Sequence, residues 1–486
     1  MDSFKTRMEG KLNRVDESPQ KSYIFKVHHL LRKINEKAYS PVLISIGPYH
    51  YERRQHDLRF MEQHKWRYLN DMITRKVEES GGTSRDELLS RCFEILEGHE
   101  DRARGYYAEA VPLGKEEFIE MMLVDSCFII EYFWKCESPE RWEDDPLFQA
   151  DWIGNCLSRD LVLIENQVPF LVLTKLLSVI GPWPDQDQDD LAAVKSLVLA
   201  AVKYLPIYQH LGPIQGKIAH NFAVESFPHL VQQGIFKNDG KIMPKIKLLW
   251  ISRDPSTTKE RENLNIKHLL DLVRKFMLID ETLLINSGTT QCVNQQPQRD
   301  QDEEAQKPIH SASKLREFGV QLKGVDNRKF YDIKFEKGVL EIPVLLIDDG
   351  TECYFRNIIA YEQHASDLSA RVSDYMYFMD NLIDSSKDIE LLRHEGIINS
   401  LLGDDTEIAT MINKMGSNIT IKQDYYEKVR NDLSKHCKQR RHSWIASLRM
   451  NYLSSPWTIL STIAAIILLL LTLMQTIYTT LSYYHA

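Results

Sequence analysis

Residues 115–136 read KEEFIEMMLVDSCFIIEYFWKC, and this stretch decides the fold class. Acids fill its first turn, where the positive end of a helix dipole favours them. Apolar residues then fall on nearly every face, so the spacing predicts a central helix buried on most sides. Working outward, Leu58, Met61, Lys65, Leu69, Met72 and Lys76 recur at helical spacing over 57–78, and Gly81-Gly82 supplies an end. Helices are also expected over 23–37 and over 84–106, the latter with Leu88, Cys92, Ile95 and Leu96 on one side. Between the first two helical stretches, 41–48 (PVLISIGP) reads as a buried extended piece that ends in a turn.

On the other side, 160–180 holds two apolar runs separated by Glu165, Asn166 and Gln167 and restarted by Pro169. Polar side chains there suit the capping of helix ends, and the proline suits the start of a new helix. Further helices are expected over 190–204, 351–365, 368–384, 387–401 and 405–415. Around the Glu336-Lys337-Gly338 turn, alternation and β-branched residues predict a small antiparallel β meander at about 320–346. The expected fold class is therefore mainly α (α+β), a multi-helix body with that meander and one C-terminal transmembrane helix. The expected organisation is a flexible N-terminus (1–20), a helical part (21–288), a disordered acidic and polar insertion (289–308) and an α+β part (309–424). A basic juxtamembrane helix (425–456), the membrane helix (457–477) and a short tail (478–486) complete it.

Composition narrows the function classes. At 486 residues, 43% hydrophobic and 27% charged, the chain has ample material for a core and is not a disordered polymer. Its net charge of −9 argues against nucleic acid as a partner. Seven scattered cysteines imply no disulfide framework and fit reduced thiols in a cytosol-facing body, with Cys127 and Cys156 as buried apolar residues.

The segment from Trp457 to Ile477, WTILSTIAAIILLLLTLMQTI, contains no charged residue and is long enough to cross a bilayer as a helix. Ser454, Ser455 and Pro456 suit its start, and Trp457 and Tyr478 suit its interfaces. Lys435, Lys438, Arg440, Arg441 and Arg449 precede the span, while 478–486 carries no Lys or Arg. The positive-inside rule then places the body in the cytosol as a single-pass, C-terminally anchored protein. Those five cations serve equally well as a topology signal or as a contact for anionic lipid. The expected partners are the lipid bilayer, an unidentified protein and, on the lipid-contact reading of those cations, anionic lipid.

For chemistry, Asp125 faces the core and reads as a buried acid with a partner, or less readily as a catalytic acid with a raised pKa. Cys127 reads as a buried thiol in preference to a nucleophile. Glu165, Asn166 and Gln167 read as a helix interruption in preference to a polar pocket. His28, His29, His50, His56 and His64 match no zinc template, and no phosphate-binding or acyl-transfer motif occurs. No cofactor, metal or catalytic residue is assigned. A non-enzymatic role leads, and a membrane-bound hydrolase with a non-standard site is the alternative.

Several stretches together resemble the plant-specific domain of unknown function 247 family: 42–50 (VLISIGPYH), 61–69 (MEQHKWRYL), 122–132 (MLVDSCFIIEY), 160–170 (DLVLIENQVPF), 342–363 (IPVLLIDDGTECYFRNIIAYEQ) and the closing span. This chain departs at Ser126, where the family usually has Gly, and at Gly350, which lengthens a turn. The resemblance implies land-plant proteins with a C-terminal anchor and no known biochemical activity, some grass members being implicated in self-incompatibility recognition. It marks Gly47, Pro48, Tyr49, His50, Asp125, Glu165, Asn166, Gln167, Pro169, Glu352, Arg356, Asn357 and Glu362 as motif residues without assigned roles. A recognition role outside the cell would conflict with the orientation that the charge asymmetry gives.

Overall fold

The computed structural model describes residues 21–137, 145–182, 190–205, 266–278, 309–326, 328–365, 368–422, 424–438 and 456–485, with Lys5, Met8 and Glu140 besides. The expected insertion at 289–308, Cys292, Arg440, Arg441 and Arg449 lie outside them, as does nearly all of the expected flexible N-terminus.

A four-residue helix α1 (His29–Arg32) is followed by α2 (Arg59–Ser80), α3 (Arg85–Glu97), α4 (Glu100–Arg104) and α5 (Lys115–Cys136). Then come α6 (Asp151–Asp160), α7 (Phe170–Ile180), α8 (Asp190–Tyr204) and α9 (Leu269–Leu278). The later part holds α10 (Ala312–Glu317), β1 (Gln321–Val325), β2 (Lys334–Glu336), β3 (Val339–Pro343) and β4 (Leu345–Ile347). It continues with α11 (Thr351–His364), α12 (Arg371–Leu382), α13 (Ser386–His394), β5 (Ile398–Ser400), α14 (Asp405–Gly416) and α15 (Glu427–Lys438). The last helix is α16 (Pro456–His485).

As its composition demands, α5 is central. It packs against α2, α3, α7 and α8, and Phe118, Met122, Phe128, Ile130 and Phe133 are all buried. Buried apolar residues from Ile24 to Leu433 form one contiguous cluster. Gly81 ends α2 in the left-handed conformation at φ +62°, which glycine adopts without a Cβ penalty.

Four expectations are corrected. The helix expected over 23–37 shrinks to α1 and a short 3-10 turn (Glu36–Tyr39). Residues 23–27 stay extended because Tyr106 O accepts from Tyr23 N and Ile24 N while Ala108 N donates to Ile24 O, so tertiary partners take the bonds a helix would use. The helix over 84–106 breaks at Gly98 into α3 and α4.

The β region is mixed. β2 and β3 form the expected antiparallel hairpin, with Lys337 (φ +51°) and Gly338 (φ +85°) giving the turn whose twist suits two strands. β1, however, pairs with β3 in parallel, giving the order β1-β3-β2. Phe330, in the connection between β1 and β2, packs edge-on against Phe355 and Tyr375, which carries the chain across before the hairpin returns between. Alternation marks strands and not the direction of their neighbours, so this pairing was not legible.

The fourth correction lies in the expected helix over 387–401, which stops at His394. Gly396 (φ +69°) turns the chain, and 398–400 becomes β5, parallel to β4 in a second small sheet. Gly324 allows the approach: a Cβ there would lie 2.1 Å from Gly396 O.

Candidate functional site

The motif residues converge on two stretches without regular hydrogen-bonding partners, 38–50 and 161–169. Side chains take the place of a strand beside the first. The Asp160 carboxylate, at the end of α6, accepts from Val42 N (3.0 Å), Leu43 N (2.7 Å) and Ile44 N (3.0 Å). Asn166 continues this row: its Oδ1 accepts from Ile46 N (2.7 Å), and its Nδ2 donates to Ile44 O (3.0 Å) and Asp160 O (2.9 Å). Gly47 N then donates to Asp125 Oδ2 (2.8 Å). Gly47 has φ +72°, and a Cβ would lie 2.3 Å from Gln167 O, so the turn before Pro48 requires glycine.

Asp125 is the hub of this knot. Its Oδ1 accepts from Arg54 Nη1 (2.9 Å) and Lys65 Nζ (2.9 Å), and Arg54 Nη2 reaches both Asp125 Oδ2 (2.5 Å) and Gly47 O (3.0 Å). Lys65 also donates to Glu62 (2.7 Å) and Ser45 O (2.5 Å). Asp125 and Lys65 are completely buried. Burial alone would raise the Asp125 carboxyl, yet Arg54 and Lys65 hold it below the usual carboxylate range. Burial and the nearby Arg54 charge push the Lys65 ammonium down. A carboxylate held low and spent on two cations and an amide is a structural clasp and is poorly suited to giving up a proton.

The remaining motif residues stitch the second stretch. Glu165 accepts from Val27 N (2.6 Å) and pairs with Arg32. His50 Nε2 stands 3.5 Å from the other Glu165 oxygen, and burial together with Arg53 and Arg32 pushes its imidazole down to about 4, so it is neutral. Gln167 donates to Leu161 O (2.7 Å) and Leu163 O (2.8 Å), and its backbone oxygen accepts from Tyr107 OH (3.0 Å). Pro169 precedes α7 with φ −59°. Tyr49 OH donates to Ile24 O (3.1 Å).

From the later part of the chain, Asn357 accepts from Ile164 N (3.0 Å) and donates to Ala38 O (2.8 Å), tying both stretches to α11. On α11 itself, Arg356 pairs with Glu352 (2.7 Å), and buried Glu362 accepts from Arg274 Nε (2.9 Å) and Ser373 N (2.8 Å). Burial raises the Glu362 carboxyl against the pull of Arg274.

Asp125, Cys127 and Glu165 thus answer to separate partner sets. Cys127 is buried beside Cys92 and Glu131, and burial pushes its thiol well above the ordinary value. All six described cysteines are free; Cys156, expected in the core, is only part-buried. Over the knot opens a cleft of 160 Å³ lined by Tyr51, Arg54, Gln55, Glu62, Trp66, Glu120, Met121 and Val124. At Ser126, where the family usually has glycine, the hydroxyl is buried without a hydrogen-bond partner. Among the described residues no group of three or more His, Cys, Asp or Glu is placed to hold a metal.

Sequence reading missed Arg54, Lys65, Asp160 and Arg274 as members of these networks. Lys65, on the apolar face of α2, was the one with a signal: a lysine at a core position needs a buried acid.

The model of a family of plant proteins of unknown function, domain of unknown function 247, matches residues 24–471. The chain belongs to that family. The chain is 28% identical to UPF0481 protein At3g47200 of Arabidopsis thaliana, over 95% of this chain and 86% of that protein. It is 25% identical to a second UPF0481 protein of the same plant, At3g02645, over 93% of this chain and 89% of that one. No solved structure matches. Most of the domain of unknown function 247 motif residues in this chain are therefore polar stitches between two irregular stretches and the helices around them, while Glu352 and Arg356 pair within α11 and Glu362 joins α11 to α9 and α12.

The closing span forms α16, which runs on to His485 through the residues expected as a tail. Nothing in 478–485 breaks it, and the hydroxyls of Thr479 and Thr480 bond back to Gln475 O (2.6 Å) and Thr476 O. Leu460–Leu481 is long and apolar enough to cross a membrane, and none of it is buried inside the chain.

Proposed function

We propose that this protein is a membrane-anchored interaction module, with α16 in the bilayer and a rigid α-rich body offered to a protein partner from the cytosolic side. One observation carries the reading. Leu468, Leu469 and Leu471 are 65%, 67% and 60% exposed within a run of exposed apolar side chains from Leu460 to Leu481, whereas in the body most apolar side chains are gathered into one core and the exposed ones, such as Trp152 and Leu401, are scattered. An apolar helix of this length left open to water is unfavourable at about 25 cal/mol per Å², and lipid removes the cost. The spending of Asp125, Cys127 and Glu165 on structural partners supports an interaction role over a hydrolytic one.

In α15, Lys428, Lys435 and Lys438 are exposed while Arg430 and Leu433 are buried. This supports a basic surface toward anionic lipid on the near side of the bilayer, at about 1 kcal/mol per cation.

Protease protection of the full chain, tagged at both termini in sealed membranes, tests the arrangement. The expected result is an N-terminal tag that is digested with the membranes closed and a C-terminal tag that is protected. A body protected with the membranes closed would overturn the cytosolic placement, and a chain released by alkaline carbonate would overturn the anchor. Proximity labelling that recovers no reproducible protein neighbours would remove the interaction role.

A further inference from the structure

The cleft over the Asp125 knot carries more charge than the knot uses. Arg54 and Lys65 face the carboxylates of Asp125 and Glu62, two cations against two anions, so the knot itself is neutral. Glu120 lines the same cleft from α5, is exposed, and meets no cation or hydrogen-bond donor among the described residues. Glu117, three residues before it, spends one oxygen on Gly114 N (3.3 Å) at the start of the helix. Their field reaches the cleft wall: burial pushes the Tyr51 phenol up, and Glu117, Glu120 and Asp125 push it the same way against Arg54. The cleft is therefore negative on balance and suits a cation.

Its walls suit the same ligand. Tyr51 already carries the Arg54 guanidinium 5.0 Å from its ring centre. Trp66, on α2, is 48% exposed and has no cation or ring upon it among the described residues. Tryptophan gives the strongest cation–π contact of the aromatic side chains. Met121 and Val124 add apolar surface, which suits the methylene stem of a long basic side chain. At 160 Å³ the cleft is well below the roughly 300 Å³ at which small-molecule sites begin, so a single side chain is the better fit. Arg54, which lines the cleft, adds a second need. It is 7% exposed, and its Nε, unlike its two Nη atoms, has no hydrogen-bond partner among the described residues. A buried N–H without an acceptor is costly. A free amine supplies no acceptor, whereas a residue within a polypeptide brings a backbone carbonyl with its side chain.

We infer that this cleft binds a lysine or arginine side chain of a protein partner, with the cation between Glu120 and the Trp66 ring and a carbonyl of the same segment meeting Arg54. Charge complementarity sets the head group, and the acceptor that Arg54 lacks sets its source. The inference rests on the interaction role proposed above and names the chemistry of the partner, and its test separates the two.

The test is titration of the fluorescently tagged full chain, in uncharged detergent, with a glycine-serine peptide that carries one central arginine, read by thermophoresis. A second peptide has citrulline there, which keeps the shape and removes the charge. The expected result is saturable binding of the arginine peptide that weakens with salt, and binding of the citrulline peptide that is weaker by about 5-fold or more. W66A is expected to weaken arginine-peptide binding by about 2- to 5-fold. E120Q is expected to weaken it by a similar factor and to reduce its salt dependence. Both side chains are exposed, so thermal unfolding stays at the parent value, and W152A, at an exposed tryptophan outside the cleft, changes neither binding nor unfolding.

Equal binding of the two peptides, or none up to about 5 mM, would overturn the cleft as a cation site. So would binding that W66A and E120Q both leave unchanged, since the contact would then lie elsewhere. Butylguanidinium, the head and stem without a backbone, binding as well as the arginine peptide would overturn a polypeptide as the source. Proximity labelling that recovers the same protein neighbours from W66A and E120Q as from the parent would leave the interaction role standing and overturn the cleft as its surface.

Discussion

Helices α5 and α16 are both dominated by apolar residues along most of their length, and they meet that condition in opposite ways. α5 is enclosed by the body and still carries Asp125, Glu131 and Lys135, each buried with charged partners: Arg54 and Lys65, Arg75, and Asp145 with Asp71. α16 has no Asp, Glu, Lys or Arg, and its Leu460–Leu481 stretch is not buried by any of the described residues. A helix enclosed by protein tolerates charge because neighbouring elements can be built to match each group. A helix enclosed by lipid can rely only on what its own backbone or another span supplies. The contrast is between matched charge and absent charge, with hydrophobicity common to both.

The strongest way to break this contrast is to unmatch the charges of α5. Asp125→Ala leaves Arg54 and Lys65 buried beside Glu62 alone, and a loss of about 3–5 kcal/mol is expected for removing one side of such a group. Urea unfolding of the detergent-solubilised chain measures it. A loss under about 1 kcal/mol would show that the knot is dispensable. Replacing all three groups together, Asp125→Leu with Arg54→Met and Lys65→Met, recovers much of the loss if only the mismatch is harmful.

The converse change puts an unmatched charge into α16. Leu470→Arg, near the middle of the apolar length, carries an insertion cost of about 2.5–3.5 kcal/mol. The expected outcome is a chain released from membranes by alkaline carbonate while its body unfolds at the same urea concentration as before. Undiminished retention would mean that α16 is not held by lipid.

A third change tests whether the knot depends on backbone shape as well as charge. Gly47→Ala forces a side chain into φ +72° and against Gln167 O. A cost of about 1–3 kcal/mol is expected for the strained backbone, with some addition for the clash. Thermal unfolding matching the parent would show that 41–50 can shift freely.

How much of this was legible in the sequence follows from where the information resides. The centrality of α5, an apolar helix at the C-terminal end and the hairpin at Glu336-Lys337-Gly338 are local patterns; α5 and the hairpin appear where the pattern puts them, and the apolar helix starts as expected but runs on to His485. That 41–48 is not helical was also legible, because Gly47-Pro48 and β-branched residues disfavour a helix, but the run bends at Val42-Leu43, where three successive amides turn toward Asp160, and is not extended throughout. What was not legible is long-range. Asp160 meets Val42 across 118 residues and Asn357 meets Ala38 across 319, and no spacing rule joins such positions. The same holds for the parallel partner of β1, and for Tyr23 and Ile24, whose amides are claimed by Tyr106. Buried polar residues in a sequence announce that a partner exists without saying which.

Helix α12 supplies the case between the two, an acid buried with thin cover. Asp374 accepts from Tyr425 N (3.1 Å), its other oxygen is buried without a partner, and burial raises its carboxyl to about 6 against an ordinary 3.8. The folded chain therefore binds this proton where the unfolded chain does not, between about pH 4 and 6. The group's stabilising contribution is complete below the unfolded value and is lost as pH rises through about 6. Asp125 runs the other way: its folded value is depressed, so its contribution is present above the ordinary range and lost in acid. Asp374→Asn keeps an acceptor for Tyr425 N and removes the charge. It is expected to stabilise the chain by roughly 1 kcal/mol at pH 7, less than one pKa unit is worth, and to give no gain at pH 4. Urea midpoints of parent and variant at the two pH values measure the difference. A variant equally weakened at both would mean that Asp374 is matched like Asp125, by a partner that favours its charged form.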